Sequence, residues 1–187
     1  NFFVCCGLNS IGIGSGGGVG KVTAEWLMTG HINQDIFSYD IKRFQKFHSD
    51  LGFIKKRITE TLGDLYGMHW PFKQHKTSRN IKTLPYHENL KSFGACFGVS
   101  AGYERPMWFA LDGEKSEYEY SYNYQNWYPS AEYETNNTIK NVGLFDLTPF
   151  SKFEIKSEKA HEELQRICTA NIKNEIGKCT YTHMLNS

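Results

Sequence analysis

Residues 11–21, IGIGSGGGVGK, place six glycines in eleven positions, directly after a run of small and apolar residues. Such density marks backbone brought close to something, because glycine alone removes the Cβ from the approach. Upstream, FFVCC (2–6) is an apolar run of strand length. Downstream, Val19, Val22, Trp26 and Leu27 recur at helical spacing and Gly30 follows as a stop. The local expectation is strand, glycine turn and amphipathic helix.

Several ligands compete for that turn. A Walker A loop requires glycine five positions before Gly20 and a hydroxyl residue after Lys21, but Ser15 and Val22 stand there, so this reading fails twice. Gly12-x-Gly14-x-x-Gly17 satisfies a dinucleotide fingerprint formally, although Asp35 and Asp40 come late and follow polar residues rather than a second core strand. A third reading has glycine amides at a helix N-terminus facing the electron-rich edge of a ring system. A tight strand–helix packing turn fits the same residues.

Beyond residue 30, apolar positions Ile41, Phe44, Phe47, Leu51, Ile54, Ile58, Leu62 and Leu65 predict a helical region from Asp40 to Tyr66, interrupted near Gly52. Residues 67–82 carry no period and form a connector. LPYHENLKSFGACFG predicts a short helix from Pro85 to Gly94, followed by a loop. From Tyr118 to Tyr133 six tyrosines and one tryptophan lie among polar residues, an aromatic surface segment. NTIKNVGLFDL (137–147) reads as the end of a helix entering a strand, and SKFEIK (151–156) alternates as a half-buried strand does. A helix capped by Ser157 and a strand at KCTYTHML (178–185) complete a β-α-β ending.

Composition excludes several classes. The chain has 187 residues, 40% of them hydrophobic, enough for a core. With 21 Lys and Arg against 20 Asp and Glu there is no basic field for nucleic acid. The apolar runs are far shorter than the roughly 20 residues of a membrane span. Five scattered cysteines without a C-x-x-C, and seven histidines without H-x-x-x-H spacing, indicate neither a disulfide framework nor a metal site. A sequon at Asn136-Asn137-Thr138 carries little weight beside this intracellular composition. No nucleophile elbow or carboxylate pair names a reaction. The opening on Asn1, inside a strand-like run, suggests an excerpt from a longer polypeptide, inactive alone.

Taken in order, GLNSIGIGSGGGVGK, AEWLMTG, DIKRF, RNIKTLPYHENL, AGYERPMWF, VGLFDLTPFSKFEI and YTHMLN resemble the dimethylglycine and sarcosine dehydrogenases. In that family a flavin domain precedes a folate-binding domain similar to the glycine cleavage T-protein. The resemblance implies an α/β (α+β) chain: residues 1–40 the end of the FAD domain, 41–82 a helical connector, 83–187 the first part of the folate domain. It implies FAD beside Ser10, Ile11, Gly12, Ile13 and Gly14, with the helix N-terminus at Gly17–Gly20 facing the pyrimidine side of the ring. It implies tetrahydrofolate beside Phe150 and Tyr181, where Pro149-Phe150 replaces a His-Met pair of the T-protein pattern and keeps an apolar wall. The implied activity is oxidative demethylation of a small methylated amine, a methylated glycine such as dimethylglycine or sarcosine, with the one-carbon unit captured by tetrahydrofolate and the electron acceptor unassigned. The implied compartment is the cytoplasm in a bacterium and the mitochondrial matrix in a eukaryote. The sequence equally resembles the pyruvate dehydrogenase phosphatase regulatory subunit, a non-catalytic alternative; a stand-alone aminomethyltransferase is a third, disfavoured by residues 1–40.

Overall fold

The structure, a computed structural model, describes residues 2–185, which group into two compact units divided between Asn136 and Asn137. The fold is mixed: helices with a small antiparallel sheet.

In the first unit, helix α1 spans Gly12–Thr29. This corrects the strand–turn–helix expectation, since the glycines lie inside the helix and residues 2–6 are exposed and belong to no strand among the described residues. A strand requires a neighbouring ladder, and FFVCC has none here. Phe3 instead sets its ring edge-on against Trp26, centroids 5.2 Å apart. Gly30 ends the helix at φ 76°, its amide donating to the Trp26 carbonyl at 2.9 Å.

Three 3₁₀ turns occupy 37–49, and the regular helix α2 begins only at Leu51, running to Tyr66. Asp50 determines that start, because its carboxylate accepts from the Phe53 amide at 2.8 Å. Gly52 therefore lies in the first turn of α2 rather than breaking a longer helix.

Helix α3, His87–Ser92, is as short as its sequence implied, and Gly94 turns the chain out at φ 83°. A Cβ at Gly94 would lie 3.2 Å from the Ala110 carbonyl, so this position also admits a close backbone approach. The loop expected next is a hairpin, β1 (Ala95–Ser100) paired antiparallel with β2 (Tyr103–Phe109). Ser100 opposes Tyr103, leaving Ala101 and Gly102 as a two-residue turn with φ of 51° and 79°. Two positive φ values in sequence match the twist of a type I′ turn. An irregularity between Cys96 and Phe97 shifts the register.

The core of this unit gathers at the hairpin: Leu84, Ala95, Cys96 and Trp108 are buried, as are the polar His87, Glu104, Gln125 and Ser130. The aromatic segment is only partly surface. Tyr122, Tyr124 and Tyr133 are exposed, whereas the Tyr118 ring meets buried Trp108 edge-on at 6.1 Å and stacks on Tyr120 at 5.7 Å.

Helix α4, Tyr128–Lys140, crosses the division between the units. In the second unit, α5 spans Ala160–Ile167, with Lys159 rather than Ser157 at the N-cap position. Ser157 lies two residues earlier, its hydroxyl accepting from the Lys159 amide at 3.2 Å. The strands expected at 142–147, 151–156 and 178–185 do not form; one antiparallel bridge, Cys168 with Met184, is the trace of the last.

Candidate functional site

The residues implied to meet the flavin are contiguous at the start of α1. Ile11 occupies the N-cap position without a side-chain cap, and no acidic residue lies in the first turn. The first helical hydrogen bond runs from the Ser15 amide to the Ile11 carbonyl at 2.9 Å, so the amides of Gly12, Ile13 and Gly14 have no acceptor within the helix. The electropositive end thus falls on Gly12–Gly14, five residues earlier than the expected Gly17–Gly20. Ile13 is fully exposed, and nothing lies within 4 Å of a Cβ built on Gly14. Ser10, at φ 65°, joins its hydroxyl to that of Tyr66 at the end of α2.

In the second unit, Phe150 and Tyr181 occupy different surroundings. Phe150 is 55% exposed and closes a turn by donating its amide to the Leu147 carbonyl at 3.1 Å. Tyr181 is 89% exposed and meets His183 edge-on at 5.7 Å.

The densest polar chemistry lies elsewhere, in the first unit between α2 and the hairpin. Glu104 of β2 is 2% exposed. Arg79 grips it with both prongs, Nε to Oε1 at 2.7 Å and Nη2 to Oε2 at 2.5 Å, while the Asn80 amide donates to Oε1 at 2.8 Å. Burial pushes the Glu104 carboxyl up, but these donors outweigh it and hold the group below its ordinary value. The Glu104 hydrogen bond likewise raises Arg79 above its usual range. Arg79 donates further to the His75 and Phe97 carbonyls, each at 3.0 Å.

On α2, Glu60 and Asp64 approach His75, with one ligand-type atom from each within 4.8 Å of the others. Positive charge is already present, since Lys73 Nζ lies 2.5 Å from Asp64 and Arg57 flanks Glu60 at 3.9 Å. Glu60 also accepts from the Lys76 amide at 2.6 Å, from the Thr77 amide at 2.8 Å and from the Thr77 hydroxyl. Burial would raise its carboxyl, yet these hydrogen bonds and nearby His75 bring it down to about 2. Burial, with Arg57 adding, lowers His75. The cluster is an internal ion-pair network whose donors leave its carboxylates little capacity for an added cation.

Arg79-Asn80 and Glu104 lie in separate stretches of the sequence, RNIKTLPYHENL and AGYERPMWF, and no local spacing links them. The link spans 25 residues and depends on the hairpin turn at Ala101-Gly102, which the sequence did not announce.

This arrangement defines a class: an irregular connector following α2 that is clamped, within one compact unit, to an antiparallel hairpin. Residues 86–187 match the family described as GCVT N-terminal domain, and residues 29–83 match the FAD dependent oxidoreductase central domain. The chain belongs to the GCVT N-terminal domain family, in the group of sarcosine and dimethylglycine dehydrogenase-like proteins that join it to the oxidoreductase central domain. It is 41% identical over 186 residues to a 4-methylaminobutanoate oxidase (formaldehyde-forming) of Paenarthrobacter nicotinovorans, covering 100% of this chain and 23% of that protein. It is 31% identical over 195 residues to the mitochondrial pyruvate dehydrogenase phosphatase regulatory subunit of Mus musculus, covering 99% and 22%. It is 30% identical over 212 residues to the mitochondrial sarcosine dehydrogenase of Homo sapiens, covering 99% and 23%. The chain thus spans under a quarter of the length of these relatives. Among the described residues no helix is long and apolar enough to cross a membrane.

Proposed function

We propose that this chain is the joint between the flavin and folate modules of an enzyme that oxidatively demethylates an N-methyl amino acid. One observation carries the reading: 41% identity along the whole chain to an oxidase of a methylamino acid, against 31% to the regulatory subunit. The division into an FAD segment to residue 40, a connector to 82 and a folate segment from 83 belongs to the same proposal, as does a mitochondrial matrix or bacterial cytoplasmic setting.

The residues at the start of α1 suit a flavin ring. FAD, when bound, supplies the acceptor for hydride from the N-methyl carbon. Gly12, Ile13 and Gly14 offer three amides without helical acceptors at the positive helix end, suited to a ring edge that gains negative charge. Gly14 leaves open space for the approach, and Ser10 is held by Tyr66. Phe150 and Tyr181 present exposed rings of the kind that a flat pterin stacks on, and we assign them to tetrahydrofolate.

The test uses the protein with all its modules, under anaerobic conditions, mixed in turn with 4-methylaminobutanoate, sarcosine and dimethylglycine. Bleaching of flavin absorbance by one of them is expected. Bound flavin that stays oxidised with all three overturns the enzymatic reading in favour of the regulatory one.

A further inference from the structure

We propose that the Arg79–Glu104 pair is a positioning device that fixes the flavin-side central segment to the first hairpin of the folate-side segment. The inference rests on the two-module reading above and assigns the joint its residues.

The two family segments meet between residues 83 and 86, yet the structure shows no seam there. Hydrogen bonds cross the boundary along its length. The Glu104 amide donates to the Lys82 carbonyl at 2.8 Å, beside a parallel bridge of Thr83 with Glu104. Gln74 accepts from the Val99 amide at 3.0 Å, and its own amide donates to the Tyr120 hydroxyl at 2.9 Å. Gln45 donates to the Ala101 carbonyl at 3.0 Å, against a Gly102 whose Cβ would sit 2.7 Å from the Gln45 amide nitrogen. At the centre, Glu104 takes both prongs of Arg79 and the Asn80 amide. Asn80 stands at φ 60°, in the left-handed region that asparagine tolerates better than most residues other than glycine, and there its amide reaches the carboxylate.

Adhesion alone does not account for this choice of residues. A buried ion pair adds little stability over an apolar pair of the same volume. What a bidentate guanidinium–carboxylate pair adds is direction, because two parallel bonds fix the angle of one segment on the other. Fixed geometry matters where a one-carbon unit leaves one site for another, since an iminium released into water is hydrolysed to formaldehyde and amine.

The experiment compares the complete protein with Arg79→Lys, which keeps the charge and loses the fork, and with the double variant Arg79→Met/Glu104→Leu, which keeps the packing. Hydrogen exchange is followed at the amides of 79–83 and 97–104. The division of product between methylene-tetrahydrofolate and free formaldehyde is followed beside single-turnover flavin reduction. Expected in both variants are exchange at these amides faster by about tenfold or more, flavin reduction within about twofold of wild type, and a several-fold larger share of formaldehyde. Unchanged exchange overturns the proposal, as does faster exchange with an unchanged product division. A wild-type flavin that no N-methyl amino acid reduces defeats the enzymatic reading instead, and the exchange measurement then decides the joint alone: retained protection overturns it, lost protection upholds it.

Discussion

Replacing Gly16 and Gly18 by alanine tests the reading of the glycine stretch, because helix and loop predict opposite outcomes. Both residues lie inside α1, and a Cβ built on either meets no heavy atom within 4 Å. Neither substitution therefore causes a clash, and what remains is the helix propensity difference, about 0.9 kcal/mol per site. Two sites give about 1.8 kcal/mol, or roughly a twentyfold gain in the local helix equilibrium at 25 °C. In this chain the double variant should raise far-UV circular dichroism at the helical minimum and slow exchange at the amides of 19–29. Flavin retention by the complete protein should be unaffected, since the proposed contacts stop at Gly14, whereas Gly14→Val should weaken it. Lost helicity, or flavin loss from the Gly16 and Gly18 changes, would refute the helical placement and return the stretch to a ring-facing loop.

Other consequences follow from the connector and the hairpin. Glu60 titrates near 2 in the folded chain against an ordinary 4.5, so its contribution to stability is present above 4.5 and is lost as pH falls from 4.5 towards 2. That contribution is at most about 3 kcal/mol; Glu60→Gln should flatten the acid limb of a urea-midpoint profile, and an unchanged limb would contradict it. Ala101 sits at φ 51° in the first turn position, so Ala101→Asn should stabilise the hairpin by about 0.5–1 kcal/mol in urea titrations. Burial holds the Cys96 thiol up at about 11, while Cys5 and Cys6 are exposed. At pH 8 iodoacetamide should label the latter two and spare Cys96, as read by peptide mass spectrometry.

What the sequence revealed was what local chemistry determines. The spacing of Leu51, Ile54, Ile58, Leu62 and Leu65 encodes α2, but the helix expected from Asp40 starts only at Leu51, because 3₁₀ turns fill the stretch before it and Asp50 accepts from Phe53 to start a fresh helix. What it concealed was pairing. The hairpin turn carries Ala-Gly rather than Asn-Gly, and the irregularity at Cys96-Phe97 breaks the alternation that would have marked β1. The β-like patterns at 142–147, 151–156 and 178–185 have the converse problem: the residue types suit strands, but a strand exists only beside a partner, and none forms among the described residues of this unit beyond the single Cys168–Met184 bridge. Of the site, the start of α1 was legible as an unusual backbone, whereas the Arg79–Glu104 pair was invisible because the unread hairpin carries Glu104 to its partner.

The connector at 74–80 is held from both sides, and the two grips share one chemistry. On one side Glu60 of α2 accepts from the amides of Lys76 and Thr77. On the other, Arg79 and Asn80, two and three residues further on, hold Glu104 of β2. Each grip is a carboxylate receiving several donors, and each carboxyl is held below its ordinary value because the donors outweigh the cost of burial. A short irregular segment thereby transmits the direction of α2 to the hairpin without regular structure of its own. The same chemistry sets where it fails: protonating either carboxylate removes its charge and turns one oxygen into a donor that faces the donors it used to accept from, so acid should loosen both faces of the connector before it melts the apolar cluster of Leu84, Ala95 and Trp108. Exchange at 74–83 that outpaces exchange at Trp108 as pH falls below 4.5 would show that order; simultaneous loss would show that the carboxylate grips and the core are one cooperative unit.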